Sequence, residues 1–136
     1  VAMQPGKPQG HGLVGETPMI TLPGNRVSVW VSFDLFVVPG LARLSGSITP
    51  AALPQLGAEE ATCTFSAKSH RGRQQFIPVT LRHSDFGWEA SLAHKLGSGS
   101  HAISSACRAD ALLVVGADID FVQPGEKHPF LRVNKR

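Results

Sequence analysis

From Arg26 the chain alternates: Val27, Val29, Val31, Phe33, Leu35 and Val37 take every second place, with Ser28, Trp30, Ser32, Asp34 and Phe36 between them. A period of two marks a strand with one buried face, so residues 26–37 are predicted as a long first strand. Pro39-Gly40 reads as the turn after it. The same period places Ala42, Leu44, Gly46 and Ile48 in a second strand, and Cys63, Phe65 and Ala67 in a third. Ile77, Val79 and Leu81 mark a fourth, Trp88, Ala90 and Leu92 a fifth, and residues 102–108 a sixth. Leu113, Val115, Ala117, Ile119 and Phe121 mark a seventh, ended by Pro124-Gly125. No convincing helix is predicted; residues 51–61 form a helical turn at most. About seven short strands, with turns every ten residues or so, predict an all-β fold, a two-sheet sandwich.

A length of 136 residues suits one domain with a real core. Residues 1–24 are dense in glycine and proline and read as an extended N-terminal arm. Residues 25–125 are assigned to the sandwich and 126–136 to a basic tail. Charge supports that last boundary. Residues 1–125 hold nine Lys/Arg and nine Asp/Glu, so the formal +3 resides in the tail, where Lys127, Arg132, Lys135 and Arg136 face only Glu126. Such a tail meets an acidic partner or is simply solvated. No apolar run approaches the length of a membrane span, and the start carries no signal-peptide pattern.

The stretch "LGSGSHAISSACRAD", Leu96 to Asp110, gathers serine, histidine and cysteine. Its Leu96, Gly99, His101, Ile103, Ser105 and Cys107 resemble a run found in the bacterial immunoglobulin-like domain family. "ATCTF" around Cys63, then Val79 and Leu81, and Gly87 to Leu92 extend that resemblance over about residues 58–110. It implies that the all-β sandwich is immunoglobulin-like, and it implies a core or hydrogen-bonding role for His101. It also implies that Cys63 and Cys107 occupy family core positions. A disulfide between them is the expectation, with two buried thiols as the alternative.

Catalytic chemistry is not signalled. There is no nucleophile elbow, and inward parity argues against an activated Cys107 beside Arg108. His11, His70, His83, His94, His101 and His128 lack metal-binding spacing, so no metal site is expected. Asp118 and Asp120 are a weak calcium signal, more simply read as polar strand-end residues. No phosphate loop or cofactor motif occurs, and no cofactor is expected. Lys68, His70, Arg71 and Arg73 share one loop, with Arg82 and His83 as further candidates for an anion patch. They lack the interleaved aromatic residues of a nucleic-acid surface, and nucleic acid is not an expected partner.

These readings converge on a non-enzymatic structural or adhesive module, extracellular or on a cell or virion surface. A protein partner or neighbouring subunit would meet the N-terminal arm and the outer face of the first strand. Trp30 and Phe36 are the aromatic anchors of that face. Lys68, Arg71, Arg73, Arg132, Lys135 and Arg136 are the candidate charged contacts. The alternative is a glycan-binding module whose platform is Trp30, Trp88 or Phe86, and a small enzyme with a site assembled only by folding is the third reading.

Overall fold

The computed structural model describes residues 2–46, 58–93 and 108–133. In order, they form β1 (Met3–Gln4), β2 (Gly10–Val14), β3 (Thr17–Thr21), α1 (Arg26–Ser32), a π-helical turn (Phe33–Val37), α2 (Val38–Leu44) and β4 (Glu60–Cys63). There follow β5 (Ala67–Lys68), β6 (Gln74–Ser84), β7 (Gly87–Leu92), β8 (Ala111–Val115), β9 (Phe121–Val122) and β10 (Lys127–Arg132).

The sheet runs β6-β7-β4-β10-β8 and closes through β6–β8 pairing, giving a five-stranded barrel with β1 added alongside β6. β4 and β7 pair in parallel and the other barrel pairs are antiparallel, so the barrel is mixed. β6 makes closure possible by its length. Gln75–Val79 pair with β8, and Val79–Ser84 pair with β7. Beyond Val79 the β8 side of β6 would be left open, and there the Asp110 carboxylate accepts from the Leu81 N–H at 3.0 Å.

The barrel interior holds Ala61, Cys63, Val79, Ala90, Ala111, Leu113, Val115, Val122 and Phe130. β8 is buried at every position. Ala111, Leu113 and Val115 point inward; Leu112 and Val114 point out and join Met3, Val31, Phe76 and Leu131 in a second cluster. An unbroken apolar run is what a strand covered on both faces requires. The second cover is the helix, which lays Val27, Trp30, Val31 and Leu35 on the barrel.

This arrangement corrects the predicted sandwich. The first strand, 26–37, is helix, and the second runs into helix as far as Leu44. Val27, Val31 and Leu35 recur every four residues, so the same side chains that alternate also form a helical stripe. Asn25 starts the helix: its Oδ1 accepts from the N–H groups of Val27 at 3.0 Å and Ser28 at 3.3 Å. Pro39 cannot donate to the Leu35 carbonyl. The wide turn just before it, in which the Val38 N–H reaches the Phe33 carbonyl, absorbs that mismatch. Helix 26–44 is long and apolar enough to cross a membrane by length and composition alone, but its Val31 face is packed on the barrel.

Two boundaries also change. The expected arm contains β1 and the β2–β3 hairpin. The expected basic tail contains β10, a full barrel strand. The predicted fourth and fifth strands coincide with β6 and β7, whereas the seventh stops at Val115, where residues 116–118 turn towards β9. Most of the sixth, and much of the 51–61 segment, lie outside the described residues.

Candidate functional site

The hairpin pairs Gly10 with Thr21 at its base. The Pro5-Gly6-Lys7-Pro8 segment and the Leu22-Pro23-Gly24-Asn25 segment therefore meet at one end of the ribbon. Gly6 packs against the helix: a Cβ there would lie 2.8 Å from Ser32 Oγ. Lys7 thus follows the helix surface, and Arg26 opens the first turn beside the Asn25 cap. Asn25 Oδ1 already takes the Val27 and Ser28 N–H groups, so what this helix start offers is its positive dipole end. With Lys7 and Arg26, both exposed, this end of the hairpin suits an anionic group. Sequence reading missed it; the signal was Pro-Gly-Asn directly before an apolar run, a helix-start pattern.

The sequence-predicted residues do not form one site. Trp30 is half-buried against the barrel through the second cluster, while Phe36 is exposed on the helix. Lys68, Arg71 and Arg73 share the turn between β5 and β6, where Arg71 Nη2 lies 3.2 Å from Asp120 Oδ2 and Arg73 Nη1 reaches Gln4 Oε1 at 3.5 Å. Arg132 is elsewhere, at a barrel mouth. Its guanidinium donates to both oxygens of Glu59, at 3.0 and 2.9 Å from Nε and Nη2, and lies 4.8 Å from the centre of the Trp88 ring. Those hydrogen bonds hold the Glu59 carboxyl below the usual carboxylate range and raise Arg132. Trp88 meets His83 and Phe130 edge-on, so Arg132 completes a lid over the mouth.

Cys63 is a free thiol buried in the barrel, and burial, then the nearby Glu126 charge, pushes it up to about 11. Its expected partner Cys107 lies outside the described residues, as do His94, His101, Lys135 and Arg136. Buried His128 bonds Glu126 Oε2 through Nε2 at 3.0 Å. Among the described residues, no three His, Cys, Asp or Glu side chains are grouped to hold a metal ion.

Residues 60–132, the barrel from β4 to β10, match the family model described as the MoeA C-terminal region (domain IV). The chain belongs to this family. It is similar to molybdopterin molybdenumtransferase 2 of Mycobacterium tuberculosis (strain H37Rv), at 38% identity over 126 residues, 92% of this chain and 29% of the relative. It is also similar to molybdopterin molybdenumtransferase 1 of the same strain, at 30% identity over 131 residues. The chain thus spans 29% and 30% of the length of these curated relatives. Among solved structures, a molybdopterin biosynthesis MoeA protein from Pyrococcus horikosii matches 96% of the chain with a TM-score of 0.72 and 30% identity, over 30% of its own length. A molybdenum cofactor biosynthesis protein from Pyrococcus furiosus matches with a TM-score of 0.70 and 27% identity, over 42% of its own length.

Membership of the MoeA domain IV family replaces the bacterial immunoglobulin-like resemblance. Val79, Leu81 and Gly87–Leu92, which carried part of it, are barrel positions on β6 and β7. The adhesive and glycan-binding readings are overturned with it, as is the extracellular or virion placement that followed from them. The non-enzymatic reading is overturned too, because the relatives bear the names of transferases.

Proposed function

We propose that this chain takes part in molybdenum transfer to molybdopterin, as the C-terminal portion of a molybdopterin molybdenumtransferase. The observation carrying this reading is that the similarity to such transferases extends over 92% of the chain, hairpin and helix included, and is not confined to the barrel. In this reading the barrel is the scaffold. The helix start at Asn25, with Lys7 and Arg26, is the part that meets an anionic group of the substrate.

The rest of the machinery is supplied by the polypeptide that the hairpin and helix meet. Leu13, Val14, Met19 and Ile20 are 70%, 62%, 49% and 42% exposed, and Phe36, Leu41 and Leu44 are 43%, 55% and 69% exposed. Directly opposed pairs share a face, so Leu13 and Ile20 lie on one side of the ribbon and Val14 and Met19 on the other. A two-stranded ribbon apolar on both sides is marginal alone and is stabilised by packing into a neighbour.

The test is a chimaera in which residues 2–133 replace the matching C-terminal segment of a molybdopterin molybdenumtransferase. In cells lacking their own transferase, recovery of molybdoenzyme activity is expected. Lys7→Ala with Arg26→Ala should reduce it at unchanged protein level, and Leu13→Ser with Ile20→Ser should reduce it by loosening the association. A folded chimaera without activity refutes the reading.

A further inference from the structure

The tip of the β6–β7 hairpin is not used by the reading above. Its register sets Thr80, Arg82 and Ser84 opposite Ser91, Glu89 and Gly87. A two-residue turn makes Ser84 and Gly87 a hydrogen-bonded pair, and such pairs recur at every second residue. The main-chain groups of Arg82 and Thr80 therefore face β7, and those of Val79, Leu81 and His83 face the other edge. Contacts on that edge agree. The Val79 carbonyl accepts from the Asp110 N–H at 2.9 Å, and the Leu81 N–H donates to the Asp110 carboxylate at 3.0 Å. There β8 leaves the edge, because its pairing with β6 runs only as far as Val79. The Leu81 carbonyl and both main-chain groups of His83 come next. Among the described residues none of the three meets a partner.

Two further observations say what this open edge takes. First, the turn beyond it is fixed. Ser84 Oγ accepts from the Phe86 N–H at 3.3 Å and donates to the Gly87 carbonyl at 3.1 Å, and Gly87 takes a φ of +107°. Held there, Phe86 is 94% exposed, more than any other large apolar residue among those described. A ring at the head of a preorganised turn has little freedom left to lose on binding. Secondly, the edge adjoins the barrel mouth. Leu81 packs against the interior cluster, and His83, two residues on, shares its face. The exposed His83 ring meets Trp88 edge-on, with centres 4.8 Å apart. A residue paired with His83 would carry its side chain on this same face, beside the ring and over the mouth.

We propose that the β6 edge from Leu81 to His83 docks an extended segment of another protein, added as a short strand where β8 leaves off. The segment carries an apolar side chain opposite His83 and rests a second one on Phe86. The edge itself selects this occupant. An extended chain presents a row of main-chain donors and acceptors to match the Leu81 carbonyl and the His83 groups, and a helix or a closed surface does not. A second copy of this chain, pairing through the same edge, would oppose His83 to His83 and put a polar ring where the mouth offers an apolar contact.

Amide exchange in the nitrogen-labelled full chain is the first test. The Arg82 amide should be protected and the His83 amide should exchange rapidly. A protected His83 amide in the free chain would mean that the chain covers its own edge, and the proposal would fail. Random peptides displayed on phage and selected on the full chain then supply the probe. An enriched peptide, synthesised and titrated by NMR, should give saturable shifts at Leu81, His83 and Phe86 and should slow exchange of the His83 amide. Phe86→Ala should weaken it about tenfold. His83→Pro removes the donor and blocks the edge without touching a bond to β7, and should also weaken it about tenfold. His83→Ala keeps the amide and should stay within about threefold of wild type. Absence of enrichment, peptides that shift only other residues, equal affinities in His83→Pro and His83→Ala, or wild-type affinity in Phe86→Ala would overturn the proposal. So would concentration-dependent shifts at these amides without peptide, which would identify a second copy as the occupant.

Discussion

A methyl group added at Gly6 would sit 2.8 Å from Ser32 Oγ and 3.0 Å from Met3 Cε, on a backbone whose φ is +111°. Ser32 is fully buried and Met3 nearly so, so neither side chain has room to retreat. Gly6→Ala therefore combines backbone strain with overpacking, and should cost about 2 kcal/mol, read as a lower urea midpoint with unchanged slope. Cys63 shows burial acting on a proton. With the thiol pushed up to about 11, it is neutral at pH 7 and should resist iodoacetamide in the native chain while reacting freely in denaturant. The sign of the pH effect follows from linkage. An unfolded thiol ionises near 9 and the folded one near 11, so the unfolded state binds fewer protons in between, and stability falls across that interval. Thermal melts from pH 8 to 11 should show a steeper decline in wild type than in Cys63→Ala, because every other group is common to both. Parallel declines would show that the thiol is not held neutral by the fold.

The helix is the element that sequence reading lost, and the reason is a coincidence of periods. Val27, Val31 and Leu35 satisfy both an alternation of two and a stripe of four, and valine favours strands. What decides is the terminus: Asn25 satisfies two N–H groups, and the apolar stripe finds Met3, Phe76 and Leu112 to cover. Asn25→Ala should cost about 1 kcal/mol, measured as a shift in the thermal midpoint, whereas Asn25→Asp should be nearly neutral. Strands β6 and β7 were legible because their alternation is real and because Asp85-Phe86-Gly87 turns the chain between them. β10 was not, since His128, Pro129 and two cations hide a strand whose Phe130 and Leu131 serve opposite faces. Closure of the barrel was also not legible, because β6 changes partners along its length and nothing local announces that. The charged turn between β5 and β6 was visible as a cluster of types. The hairpin base was not, because its two halves lie either side of the ribbon and are joined only by the Gly10–Thr21 pairing.

For the whole molecule, the question is whether barrel and helix are one cooperative unit. The two cores share β8, whose residues alternate between them. Leu112 and Leu113 are 1% and 0% exposed, yet serve different clusters. Removing the helix would uncover Leu112, Val114 and Phe76 together, and opening the barrel would detach β8 from the surface the helix needs. That sharing predicts a single transition. The chain carries its own reporters, because Trp30 packs in the outer cluster and Trp88 against the inner one. In Trp30→Phe the fluorescence follows the barrel alone; in Trp88→Phe it follows the helix contact alone. After correction for each variant's own stability, the two melting curves should coincide with each other and with far-ultraviolet circular dichroism. Leu112→Ala and Leu113→Ala should each cost roughly 2–5 kcal/mol and move both fluorescence signals together. An early transition seen only through Trp30, deepened by Leu112→Ala and untouched by Leu113→Ala, would show instead that the hairpin and helix separate from an intact barrel. In that case packing of the apolar hairpin and helix surface into a neighbour, and not β8, would be what keeps the helix in place.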